Sequence, residues 1–162
     1  MTPRAMTYSP SRAIEPHLET VPVVMCDILD TLVADPFTRG MAEHLGFDNF
    51  NDFIDAKTPD IWPSFEMGRI SEQQVARRFF KDKKRKLDLT AMKLFLLDSY
   101  SFNPGVEQML AFLRNSGVKM HAFSNYPIWF TLIEQSLRLE RDHGVRWTFV
   151  SACEGLRKPS LE

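Results

Sequence analysis

The chain has almost no cysteine: two in 162 residues, Cys26 and Cys153. That excludes a disulfide scaffold and reads as a pair of buried free thiols in a reducing compartment. No apolar run approaches the ~18 residues that a membrane span needs, so no membrane helix is expected. No apolar h-region follows the N-terminus, which argues against secretion. An excess of either charge is also missing. Lys and Arg number 20 against 21 Asp and Glu, for a net charge of −1. There is therefore no global electrostatic case for nucleic acid or an anionic membrane as partner. His17, His44 and His143 show no metal-ligand spacing, and His121, inside a candidate strand, reads as a satisfied core histidine. Internal repeats and low-complexity tracts are absent.

What remains is enough for a folded domain. Hydrophobic residues make up 44% and charged residues 25%, which suits one domain, or a small core with an insertion. Residues 1–20 read as a flexible tail. They carry Pro3, Pro10 and Pro16, only Arg as basic residue, and no acid before Glu15, a composition that also resembles a short transit peptide. The basic run Lys81-Asp82-Lys83-Lys84-Arg85-Lys86 reads as a solvated helix end and loop. Its alternative is a patch that attracts a phosphate-bearing substrate. No aromatics interleave with it, as single-stranded nucleic acid would need.

The hydrophobic rhythm alternates strands with helices. Val21-Pro22-Val23-Val24-Met25-Cys26 is a short apolar run of the kind that forms a buried parallel strand. Val118 to Phe123 and Arg146 to Val150 are the second and third candidates. A mostly helical stretch, 36–102, separates the first two. Within it, Met41 to Leu45 reads as a helix ended by Gly46, and Asn49 to Ala56 as another. A third starts at Ser71 with a capping box to Gln74, and a fourth spans Leu89 to Tyr100. Val106 to Asn115 is an amphipathic helix with Ser116-Gly117 as its C-cap, and Pro127 to Leu139 is the next crossover. This βαβ order predicts an α/β fold with a parallel sheet.

Polar residues follow each candidate strand. In open α/β sheets, ligands bind at that carboxyl end. Asp27 follows the first strand, Ser124-Asn125 the second, and Arg157-Lys158-Pro159 comes after the third. A carboxylate there is costly to bury without a cation or donors, so Asp27 reads as a nucleophile, a metal ligand, or both.

An Asp, a Ser and a Lys in this order, each past a strand, resemble the haloacid dehalogenase (HAD) superfamily. Asp27-Ile28-Leu29-Asp30-Thr31 with Asp35-Pro36-Phe37, and Asn125-Tyr126-Pro127-Ile128-Trp129, look more narrowly like the plastid flavin mononucleotide (FMN) hydrolase branch and its bacterial relatives. The resemblance implies a Rossmann-like parallel-sheet core, 21–35 and 103–162, with a helical C1-type cap over 36–102. It implies a phosphohydrolase acting on a small phosphorylated metabolite, FMN by preference, in the chloroplast or cytoplasm. Asp27 would form an aspartyl-phosphate, Ser124 would donate to a phosphoryl oxygen, and Lys158 would neutralise the charge. Mg²⁺ would be held by Asp27, the Leu29 carbonyl and acids after a fourth strand. Thr31, Asn125, Tyr126 and Trp129 are the expected substrate-side residues, with Trp62 a further stacking candidate; for Tyr126, Trp129 and Trp62 the commoner role of such aromatics is core or cap–core packing. Leu29 stands where most HAD phosphatases carry a second Asp, the usual general acid/base; the FMN hydrolase branch shares this apolar residue. Asp30, one position on, projects differently.

The same resemblance sets two further expectations. The fourth motif should lie well beyond Lys158, so a C-terminally shortened form is expected, with strand one as an apolar edge open to a partner or a second copy. The competing functions are a non-catalytic interaction module and a haloacid dehalogenase, which needs no metal and usually carries Tyr at the position of Leu29.

Overall fold

The computed structural model describes residues 22–160. The tail expected over 1–20, and Val21, lie outside the described residues. Three strands, β1 (Val23–Cys26), β2 (Lys119–Ser124) and β3 (Val145–Val150), form one sheet in the order β1-β2-β3. Both pairings are parallel, with Cys26 opposite Ala122 and Ser124 opposite Val150. The α/β class and the parallel sheet are therefore those that the hydrophobic rhythm predicts.

Helices α1 (Met41–His44), α2 (Phe50–Ala56), α3 (Ile61–Glu66), α4 (Glu72–Arg78), α5 (Leu89–Ser99) and α6 (Val106–Asn115) separate β1 from β2. Helices α7 (Phe130–Leu137) and α8 (Leu139–His143) separate β2 from β3, and α9 (Ser151–Glu154) follows. Local chemistry sets the starts. Asn49 accepts from the Asp52 N–H at 3.0 Å, Ser71 and Gln74 close a capping box, and Asp88 accepts from Thr90 and Ala91. Two differences from the sequence reading have backbone causes. The helix expected from Pro127 starts at Phe130 and breaks at Arg138, whose φ of 51° is left-handed. Helix α3, with Pro63 inside it, is not among the helices that the spacing predicts.

A sheet whose strands run in sequence order, joined by right-handed crossovers, carries its helices on one side. Burial agrees. Cys26, Met120, Ala122, Val145 and Val150 are buried, whereas Val23 is 55% exposed, Met25 46%, Phe123 44% and Phe149 42%. The second face of the sheet is bare of described residues' helices, and β1 stands at its edge. His121 lies on that face, half-buried, its Nδ1 2.7 Å from Thr148 Oγ1, so it is satisfied but not a core residue. Cys26 is buried as expected, but Cys153 on short α9 is exposed.

The core continues from the sheet into the helical stretch. Phe53, Phe65, Phe79 and Trp129 are at most 2% exposed; Phe65 meets Trp129 edge-on at 5.0 Å between ring centroids, and Phe53 stacks on Phe79 at 6.3 Å. Helix α3 comes down on α9 through Gly68, whose φ is +65° and whose added Cβ would stand 2.7 Å from the Ala152 carbonyl oxygen. Gly46 has a similar φ of +74° with nothing within 4 Å of such a Cβ. Gly46→Ala should therefore cost only the left-handed backbone, about 1–2 kcal/mol. Gly68→Ala should cost that and a further ~1–3 kcal/mol of overpacking. Urea midpoints of the two variants check this; equal losses would contradict the close approach.

Candidate functional site

Parallel pairing brings the three chain segments past the strands to one rim, where they line a cleft of about 370 Å³. Asp27 is the first residue past β1, and its Oδ1 accepts the Ile28 N–H at 3.0 Å. Ser124 ends β2, is 5% exposed, and turns into the cleft with no hydrogen bond from its hydroxyl to a described residue. Lys158 reaches back from the segment after α9. Its Nζ lies 2.9 Å from Asp27 Oδ1 and 2.6 Å from the Phe123 carbonyl oxygen. The Asp27 and Lys158 side chains are 52% and 29% exposed, so the pair contributes position more than stability.

Asn125 fixes that reach. Its Nδ2 donates to the Lys158 carbonyl at 3.0 Å and its Oδ1 accepts the Lys158 N–H at 2.7 Å. One amide thus bonds both backbone polar groups of Lys158 and ties the end of β2 to the loop after β3. Asn125, Tyr126, Asp27, Leu29, Ser124 and Lys158 all line the cleft. Thr31 and Trp129 do not. Thr31 is exposed, and its main-chain oxygen accepts from Asn103 at 3.1 Å. Trp129 is 2% exposed, packed on Phe65 and Trp62, and its indole N–H donates to Glu72. Trp129 thus takes the core-packing role of the two that the sequence reading held open.

The loop after Asp27 folds on itself. The Ile28 carbonyl accepts from Leu32 at 2.8 Å and Val33 at 2.9 Å, around Asp30 at φ 57°. Asp30 therefore points outward, 3.6 Å from Arg39, and does not stand in for a second acid. The chain then returns to the cleft wall at Asp35. Burial pushes the Asp35 carboxyl above its usual value; the Phe37 N–H, bonded to Oδ1 at 2.9 Å, pulls it part of the way back.

The opposite wall comes from the helical stretch: Phe37, Met41, Trp62, Glu66 and Leu96. Tyr126 completes it, with its hydroxyl 2.6 Å from that of Tyr100 and its ionisation pushed well above the usual range by burial. Glu66, 7% exposed, has its Oε2 2.9 Å from Arg157 Nε. The N–H lies off the line between them, so the contact is a charge pair and not a formed hydrogen bond. Burial raises the Glu66 carboxyl, against the lowering by Arg157. Below it, Ser151 Oγ accepts the Tyr126 N–H at 2.9 Å and donates to the Glu66 carbonyl at 2.6 Å.

Asp35 and Glu66 line the cleft although the sequence reading gave neither a role: Asp35 entered it only as part of a motif, and Glu66 not at all. Glu66 carried a readable signal, an acid on the apolar side of Ile61 and Phe65; Asp35 needed the turn. Among the described residues, no three His, Cys, Asp or Glu side chains cluster as a metal site. The donor set at the rim is one half-exposed carboxylate, Asp27, beside the Leu29 main chain. That suits a hard cation only when phosphate oxygens complete its shell.

No protein-family profile matches this chain. It is 37% identical over 142 residues to flavin mononucleotide hydrolase 1 of Arabidopsis thaliana, a curated chloroplast protein. The match covers 88% of this chain and 56% of that protein, so the chain spans about half the length of the curated relative it matches.

Two outcomes are expected from this geometry. Asn125→Ala removes both bonds to the Lys158 peptide, at about 1 kcal/mol net each, so the Lys158 amide should lose roughly tenfold or more of its hydrogen-exchange protection. The second concerns acid. The folded Asp35 binds its proton more tightly than the unfolded one, whose value is 3.8. Its contribution to stability is thus complete below that value and is lost as pH rises through the raised one. Asp35→Asn keeps the acceptor for Phe37 and removes this loss. Its urea midpoint should gain on wild type between about pH 3 and pH 7. A constant difference would sink the assignment.

Proposed function

We propose that the cleft hydrolyses a phosphate monoester of a small metabolite, with FMN as the favoured substrate and riboflavin and phosphate as products. The observation that carries this is the Asp27–Lys158 contact of 2.9 Å at the strand rim, facing an aromatic wall. A carboxylate nucleophile splits a hard hydrolysis into two steps through an acyl phosphate. Asp27 is the nucleophile. Lys158 leaves its ground-state bond to Oδ1 for the incoming phosphoryl oxygens, where charge spreads in the transition state. The free Ser124 hydroxyl donates to one of those oxygens. Asn125 holds Lys158 at this station through its backbone. Phe37, Trp62 and Tyr126 take the flat, apolar end of the substrate.

Asp27 and the Leu29 carbonyl would hold Mg²⁺ once a phosphate is present, and the ion would offset the repulsion between carboxylate and phosphate. The likeness to a chloroplast FMN hydrolase supports both the substrate and a chloroplast location. A second reading, a non-catalytic binding module, is favoured by the bare apolar sheet face; it predicts no turnover.

The test is phosphate release from FMN with Mg²⁺ present. Wild type should turn over, and Asp27→Asn should lose at least ~10³-fold in kcat, as loss of a nucleophile does elsewhere. Equal rates in the two proteins would refute the proposed nucleophile.

A further inference from the structure

The reaction above lacks a proton donor. An alkyl oxygen leaves phosphorus poorly as an alkoxide, and general acid help is typically worth ~10²–10⁴-fold. Leu29 supplies none. Among the described residues, three carboxylates line the cleft: Asp27, Asp35 and Glu66. Asp27 is held by Lys158, and Glu66 faces Arg157 at 2.9 Å. Asp35 has no ion pair with a described residue. Arg39, the nearest cation on its loop, is paired with Asp30.

The turn explains how an acid eight positions beyond the nucleophile shares its cleft. Ile28 O gathers the N–H groups of Leu32 and Val33, and Leu29 pairs with Val33 in an isolated parallel bridge. Asp35 N then bonds Asp30 Oδ1 at 3.2 Å. The chain leaves the rim after Leu29 and comes back to it at Asp35. Around Asp35 stand Asp30, Arg39 and the neutral Tyr100–Tyr126 hydroxyl pair.

We propose that Asp35 is the acid that protonates the leaving oxygen, and the base that receives a proton from water in the second step. The proposal rests on the phosphohydrolase reading with Asp27 as nucleophile. In the first step an Asp27 oxygen bonds phosphorus, the ester P–O bond breaks, and the proton of the Asp35 carboxyl goes to the departing oxygen to give the alcohol. In the second, water attacks the acyl phosphate, its proton goes to the Asp35 carboxylate, and Asp27 is released with phosphate. The raised affinity of Asp35 for its proton supports the first role.

Asp35 also closes a turn through the Phe37 N–H, and a purely structural role would rest there. Asp35→Asn separates the two, because it keeps the acceptor and loses the proton. Two substrates are compared by rapid mixing with Mg²⁺: FMN, and p-nitrophenyl phosphate, whose phenolate leaves unprotonated. Asp35→Asn should lower FMN turnover by ~10²–10⁴-fold while its first-turnover nitrophenolate burst keeps the wild-type rate. In wild type, FMN cleavage should fall as pH rises above the usual carboxylate range, and the burst rate should not. Unchanged FMN turnover in the variant, a burst slowed as much as FMN, or identical pH profiles would each overturn the role of Asp35 alone. An inactive wild type would overturn the phosphohydrolase reading as well.

Discussion

Parallel pairing of three short strands is the constraint on which the site depends. Because β1, β2 and β3 run the same way, the residues after Cys26, Ser124 and Val150 emerge on one rim. Strand order equal to sequence order then fixes the rest. Right-handed connections send every crossover to one side, which leaves that side packed and the other bare. The helical stretch between β1 and β2 is thus free to lean over the rim and roof the cleft with Phe37, Trp62 and Glu66.

Charge is distributed over that cleft in an ordered way. Arg157 and Lys158 are neighbours in sequence, yet they serve opposite walls. Arg157 meets Glu66 of α3, and Lys158 meets Asp27 beyond β1. Two adjacent cations, one on each wall, make the loop after α9 a bridge between the sheet and the helical stretch. Asn125 keeps the bridge in register from the backbone side. At the buried Glu66 the apolar surroundings lower the local dielectric, so its charge pair with Arg157 acts more strongly than it would in water, whereas the half-exposed Asp27 is screened.

Much of this was legible in the sequence, and the parts that were not have definable causes. Strands appeared as apolar runs, and helix starts as Asn49 and Ser71, because these signals are local. The rim residues Asp27, Ser124, Asn125, Tyr126 and Lys158 were legible from their place after strands. Trp129 was not, because whether an aromatic faces a ligand or Phe65 is decided by packing between distant segments. Asp35 was hidden by a turn that depends on a left-handed Asp30, a conformation no spacing rule announces. Cys153 read as buried from its neighbour strand, but a four-residue helix there turns its side chain to solvent.

The two edges of the cleft differ in how firmly they are closed. On the α3 side, the Glu66–Arg157 charge pair, the Ser151 bond to the Glu66 carbonyl and the close seat of Gly68 on Ala152 act together. On the side of Phe37 and Met41, contacts with the rim are apolar and non-directional. Non-directional contacts slide, whereas a buried charge pair resists separation because each partner would be left unpaired. The wall on the α3 side is thus set by charge and hydrogen bonding, and the part lined by the Phe37 and Met41 side chains by apolar packing.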